Sequence, residues 1–401
     1  MSSLTHKMPL LCYPHSVAKR IQQKLIRQRR REARERFFEN WKHGQELSFE
    51  RFMSAALYDE NFGYYTTNIK EVGRGGDFST SATLNDDLGA AISKWLVHEL
   101  ERKNHFKFQW HCVEAGAGNG SLAKAVFKNL PFKWRVNCTY HIVEKSPALV
   151  SVQKEKLKKV GRFKWHPDMD SLLRATKCFH FICNELVDAF PATLFQWDSN
   201  HIPCPSSAQT GPGRWMKLYL DFDGHSLFQK LRPVSSHELD GISTISELLL
   251  WPNQKISHGQ RCEVHLTYRE WLYSWIPRMK EGSLLTIDYG DRFPDVYKKH
   301  FSGTIRGYFQ HQHINGNEIY SRVGEQDITA DVNFSDLEKW SKDLSLENVE
   351  FQNQEQFLEK FGIVNDSYDS DHARSAYLKL KEGPGTAFKV LSQRKNSLHK
   401  K

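Results

Sequence analysis

The sequence predicts an α/β fold: a parallel sheet covered by helices, with a helical cap ahead of it and an α+β subdomain inserted into it. Three observations carry this. Short apolar runs that read as strands alternate with helical runs through the middle of the chain. Each strand run ends in a polar residue at its carboxyl end, where open α/β sheets bind ligands. The first of them empties into a glycine turn, Glu114-Ala115-Gly116-Ala117-Gly118-Asn119-Gly120, followed by a Lys/Leu/Val-rich helix.

The elements follow in chain order. Residues 17–41 place Val17, Ile21, Leu25, Ala33, Phe37 and Trp41 on an i, i+4 stripe, so 1–46 reads as a basic amphipathic helix packed on the body or on a partner. A mitochondrial transit peptide avoids acids, and Glu32, Glu35 and Glu39 interrupt this stretch. Residues 47–107 form the cap, in which a glycine-dense loop precedes a helix over 85–101. The first part of the core, 108–199, holds strands over 109–115, 139–143, 162–165 and 179–183 and a helix over 121–128. Ser146 as N-cap and Pro147 at the first helical position open another helix, which runs to 159.

Over 200–260 the alternation stops. Pro203, Pro205 and Pro212 mark loops, and 215–229 reads as a hairpin turning at Asp223-Gly224. This insertion is expected to bind substrate or to dimerise. The second part of the core, 261–388, opens with a helix over 267–280, started by a Thr267/Glu270 capping box and bent near Pro277. A fifth strand, 283–287, ends in Asp288-Tyr289-Gly290, and 389–401 reads as a basic tail.

Composition narrows the function. The formal charge of +9 sits at the ends: residues 1–50 carry +6, residues 389–401 carry +5, and everything between carries −2. A nucleic-acid groove would place its charge on the folded body, so that partner is not expected. No run of 18 apolar residues is present to span a bilayer. The seven cysteines, an odd number without a C-x-x-C pair, read as reduced thiols, which suits a bacterial cytoplasm or, in a eukaryote, the mitochondrial matrix. The histidines show no metal-ligand spacing, so no metal is expected.

The glycine turn carries the chemistry. Three glycines in five positions let a tight turn take unusual dihedrals while its backbone touches a ligand. A dinucleotide loop would read G-x-G-x-x-G. Here the pattern is E-x-G-x-G-x-G, and the carboxylate of Glu114 ahead of the glycines disfavours a phosphate and suits a cationic, amine-bearing ligand. S-adenosylmethionine, with a sulfonium and an ammonium, fits. Glu144, at the tip of the second strand, is where such folds put an acid on ribose hydroxyls. Asn184, Glu185 and Asp188 follow a buried strand and offer an amide and two carboxylates, a pair that suits the donor fork of a guanidinium.

With these segments in order, the chain resembles the MidA-like methyltransferases, whose mitochondrial members assist assembly of respiratory complex I. The resemblance spans about 47–363 and rests on LYDENFGYYT, GDFSTS, EAGAGNGSL, VEKSPAL, NELVDAFP, LLTIDYG, GTIRGY and GEQDITADVNF. It implies a Rossmann-like class I methyltransferase sheet, S-adenosylmethionine as methyl donor and a protein arginine as acceptor. Carried over by position, it implies that Gly116, Gly118 and Gly120 cradle the cofactor, that Glu144 takes the ribose and that Asn184 lies near the transferable methyl. Gly76, Asp77 and Thr80 would line a closing loop. The chain departs from the family pattern where Ala82-Thr83-Leu84-Asn85 replaces Pro-Glu-Ile-Ser, at Ala90 and at Asp331. The first departure motivates an alternative, an assembly chaperone that keeps the cofactor as a structural ligand. A nucleic-acid methyltransferase using the basic ends as arms is weaker, because Asn184-Glu185 is not the N/D-P-P-Y/F acceptor motif.

Overall fold

The computed structural model describes residues 46–68, 86–102, 109–200, 213–223, 226–235, 237, 256–309, 312–362 and 384–396, with scattered positions between 24 and 38. Most of the 1–46 helix, the loop bearing Gly76, Asp77 and Thr80, and much of the 200–260 insertion lie outside these residues.

Five parallel strands run through an eight-stranded sheet to one edge, in the spatial order Glu281–Asp291, Cys178–Asn184, Trp110–Ala115, Cys138–Val143 and Phe163–His166. Trp110–Ala115 comes first in sequence yet has neighbours on both sides, which makes its carboxyl end the switch point where such sheets open a crevice. The register brings the strand tips level, with Ala115 beside both Val143 and Cys183 and Asn184 beside Ile287. Side chains alternate between two cores. Val113, Phe181 and Cys183 pack with Trp275 and Trp340 on one face, while Cys112, Ile142 and Ile182 pack with Trp95 and Trp134 on the other.

The helix expected over 121–128 runs Ser121–Asn129, and Pro147–Leu157 begins as predicted, with the Ser146 hydroxyl accepting the Leu149 N–H at 3.4 Å. The helix expected over 267–280 is Leu266–Trp275, with His265 at the N-cap position making no side-chain cap bond, and a tight turn over Ile276–Arg278 follows it. Thr267 is therefore no cap. Its hydroxyl donates to the Pro191 carbonyl at 2.7 Å, tying the helix to the segment after Asp188.

The basic tail expected from 389 is instead a strand, Phe388–Lys395, antiparallel to Glu281–Asp291 inside the central sheet. Its charges are matched internally. Arg394 donates from Nε and Nη2 to the carboxylate of Glu99, which is 1% exposed, and Lys395 Nζ donates to the Leu344 carbonyl at 2.9 Å. Glu347–Asn353 adds the edge beyond it.

The inserted hairpin, Arg214–Phe222 with Leu227–Pro233, belongs to a second, antiparallel sheet that begins before residue 200. Arg214–Phe222 pairs with Thr193–Asp198, which pairs with Arg261–Val264. Leu47–Ser48 joins the same sheet, and the helix Phe49–Tyr58 that follows buries Phe49, Phe52 and Met53 in a third core. A small sheet of Arg306–Phe309, Gln312–Ile314 and Asp327–Thr329 completes the fold.

Across the edge of the central sheet runs a row of imidazoles. His111 Nδ1 lies 3.0 Å from His141 Nε2, His141 Nδ1 lies 2.8 Å from His166 Nε2, and His166 Nδ1 lies 3.2 Å from the Ser171 hydroxyl. Burial pushes His141 down to about 3 and lowers its two neighbours as well.

Candidate active site

The strand tips open into a cleft of about 760 Å³. One end is built by the glycine turn. Gly116, Gly118 and Gly120 take φ of 65°, 51° and 79°, left-handed values that residues with a side chain rarely adopt. A Cβ on Gly116 would stand 2.8 Å from Leu186 Cδ1, so the turn also needs the space. Gly116 N–H donates to the Val143 carbonyl at 3.0 Å, and Asn119 Oδ1 accepts the Ser121 N–H at 3.0 Å, fixing the helix start against the cleft.

Both acids expected here line the cleft, in different settings. Glu144 accepts the Ser146 N–H at 2.9 Å and Gln153 Nε2 at 3.3 Å. Gln153, fully buried, also donates to the Gly118 carbonyl at 2.8 Å and accepts from Trp165 Nε1 at 3.0 Å, so one amide joins the turn, the acid and the edge strand. Burial raises the Glu144 carboxyl, and hydrogen bonds from Ser146 and Gln153 oppose it. Glu114 is 2% exposed and its Oε2 accepts the Tyr140 hydroxyl at 2.6 Å. Burial lifts it to about 7.

The Asn184–Asp188 segment forms the floor. Glu185 sits at φ 49°, a left-handed conformation that costs a non-glycine residue about 1–2 kcal/mol. What holds the turn is Asp288, whose Oδ2 accepts the N–H groups of Leu186, Val187 and Asp188 at 3.2, 2.9 and 3.3 Å. Asp188 is buried, not solvated, and its carbonyl accepts the Ala330 N–H at 3.0 Å. Burial, then the charges of Asp288, Asp327 and Glu185, push its carboxyl well up. Asn184 Nδ2 donates to Glu185 at 3.3 Å, while Asn184 Oδ1 is buried without a partner.

The far end of the cleft was not anticipated as a unit. Tyr58 and Tyr65 stack at 5.5 Å and 20°, Tyr58 donating to the Ala189 carbonyl at 2.9 Å and Tyr65 to Asp327 Oδ1 at 2.8 Å. Trp271, Tyr289, Tyr308 and Thr329 complete the wall. Arg306, ion-paired with Asp331, donates to the Tyr308 hydroxyl at 3.0 Å and lies 5.4 Å from the Tyr289 ring centroid. Among the described residues that line the cleft, Glu114, Glu144, Glu185, Asp188 and Asp327 face a single cationic residue, Lys145. No group of His, Cys, Asp and Glu among the described residues is arranged to hold a metal ion.

Thus the structure brings Glu114, Gly116, Gly118, Glu144, Asn184, Glu185 and Asp188 to one cleft, with Gly120 at the foot of its turn. The cradle that a Cβ would fill fits the cofactor that the sequence suggests. The cleft volume lies within the usual range for a bound small molecule.

Comparison with known proteins places the family and the fold. A family model described as "Putative S-adenosyl-L-methionine-dependent methyltransferase" matches residues 91–352. The chain is 28% identical over 319 residues to the protein arginine methyltransferase NDUFAF7, mitochondrial, of Danio rerio, covering 74% of this chain and 69% of the relative. It is 26% identical over 347 residues to the protein of the same name from Bos taurus, covering 79% and 70%. The crystal structure of a superfamily member from Burkholderia thailandensis bound to S-adenosyl-homocysteine superposes with a TM-score of 0.73 at 22% identity, covering 92% of each chain, and so shares the fold.

Proposed function

The chain belongs to the MidA-like family of S-adenosyl-L-methionine-dependent methyltransferases, whose model it matches over residues 91–352, and from that premise we propose that it methylates an arginine side chain of a protein. The observation that carries this reading is the acid-rich, aromatic-walled end of the cleft next to the glycine turn. A guanidinium is planar, cationic and all donor, and matches carboxylates two bonds at a time. The names of the Danio rerio and Bos taurus relatives support the same acceptor, and their mitochondrial designation favours the matrix as its compartment. The excess of acids around the cleft disfavours a polyphosphate acceptor.

The cofactor supplies a methyl group on a sulfonium. Gly116, Gly118 and Gly120 would present backbone to it, Glu144 would take the ribose hydroxyls, and Asn184 would lie near the transferable methyl. Glu185 and Asp188 would hold the guanidinium with one nitrogen toward the methyl, and orientation would do most of the catalytic work. Transfer would form an N–C bond and return the S–C pair to sulfur. The proton then leaves the methylated nitrogen for a neighbouring carboxylate or water, so no strong base is required.

Incubation with methyl-labelled donor and a cell lysate tests this, with the label located by mass spectrometry. Methylarginine in a protein band is the expected outcome, lost in Glu185→Gln while S-adenosyl-homocysteine still binds. Binding of the cofactor with no labelled protein would support the chaperone alternative instead.

A further inference from the structure

The three-residue strand Asp327–Thr329 puts its first and last side chains on one face, and both line the cleft. Asp327 is 3% exposed, with the Tyr65 hydroxyl donating to it. Thr329 is 4% exposed, and its Oγ1 is buried with no hydrogen-bond partner. Asn184, which is 8% exposed, contributes a second buried oxygen without a partner to the same cleft. A buried polar atom left unpaired costs about 1–3 kcal/mol, and two in one cleft mark where a ligand supplies the missing bonds.

The chemistry of these atoms says what that ligand is. The amide oxygen and the carboxylates of Glu185 and Asp327 are acceptors, and the threonine hydroxyl oxygen can accept as well. The nearby Arg306 is committed to Asp331 and Tyr308, so it does not fill the site with donors of its own. A ligand that fits offers several donors, no acceptor and a positive charge. The stacked rings of Tyr58 and Tyr65 suit a flat group. An ammonium offers three donors from one point, whereas a guanidinium offers five in a plane and can reach acceptors on opposite walls.

We infer that Asp327 and Thr329 are acceptor-binding residues that, together with Asn184 in the same cleft, select a guanidinium over an ammonium. This rests on the arginine reading above and names the residues that would enforce it. Asp327 anchors the charge, and Thr329 pairs with a donor that an ammonium does not extend to it.

The test uses the full chain saturated with S-adenosyl-homocysteine and three small probes: N-ethylguanidinium, ethylammonium and neutral N-ethylurea. Saturation-transfer NMR reads their dissociation constants. N-ethylguanidinium is expected to bind about fivefold or more tighter than ethylammonium, with N-ethylurea weakest. Asp327→Asn should weaken N-ethylguanidinium about tenfold and Thr329→Val about threefold, with S-adenosyl-homocysteine affinity changed less than about twofold in both. Thr329→Val is close to isosteric, so it keeps the test decisive even if Asp327→Asn fails to fold. A guanidinium preference that survives both substitutions would overturn the assignment of these residues while leaving arginine methylation standing. Equal binding of the two cations would overturn the selection and would count against arginine as the acceptor.

Discussion

Asp288 Oδ2 accepts the Val187 N–H at 2.9 Å, from a strand a hundred residues away in sequence, and takes the two flanking N–H groups as well. The carboxylate works as a staple for a turn whose Glu185 is in left-handed backbone. Asp288→Ala removes every one of these bonds, and the expected loss is about 3 kcal/mol of unfolding free energy, read from urea titration. A shift below about 0.5 kcal/mol would mean that the turn holds itself.

Gly116→Val should abolish cofactor binding. The substitution meets Leu186 and also demands a φ of 65° from a β-branched residue. Isothermal titration with S-adenosyl-homocysteine is expected to show a loss of about 100-fold or more with the far-ultraviolet spectrum unchanged. Unaltered affinity would remove the glycine turn from the site.

Glu144→Gln keeps an oxygen for the Ser146 N–H but loses the charge that would strengthen the proposed bond to ribose hydroxyls. Affinity for S-adenosyl-homocysteine should fall about tenfold, and affinity for methionine alone, which has no ribose, should not change. A matching loss for both ligands would show that the effect is structural.

Glu114 gives the protein a pH dependence of known sign. Its carboxyl rises from 4.5 to about 7 on folding because burial disfavours the charge. The stabilisation is therefore complete below about pH 4.5 and is lost as pH rises through about 7. In the ligand-free protein, Glu114→Gln should stabilise relative to the parent at pH 8 by up to roughly 3 kcal/mol, with little difference near pH 4.5. Chemical unfolding at the two pH values measures it, and a difference independent of pH would refute a neutral, buried Glu114.

Much of the glycine-turn end of the cleft was legible because its residues are contiguous and sit at strand tips. Gly116 to Gly120, Glu144 and Asn184 each follow an apolar run, and parallel strands bring all such tips to one edge. The acceptor end was not legible as a site. Tyr65, Asp288 and the pair Asp327 and Thr329 come from three separate segments, and a strand of only three residues has no period to detect. The strand Phe388–Lys395 reads as a tail in sequence because Lys389, Arg394 and Lys395 suggest solvent. Charge counting cannot see that Glu99, almost three hundred positions earlier, waits inside the fold for Arg394. The proposed cap at Thr267 failed for a related reason: its hydroxyl serves a tertiary partner, the Pro191 carbonyl.

The imidazole row at the sheet edge ties three protonation patterns into one. A neutral ring has a single N–H to offer, so if His166 gives its own to Ser171, it must receive from His141, which must receive in turn from His111. The polarity of the row is thus all or none, like a line of switches on one rod. Reversing one ring obliges its neighbours to reverse, so a change made at the outermost strand is felt at the strand that feeds the glycine turn.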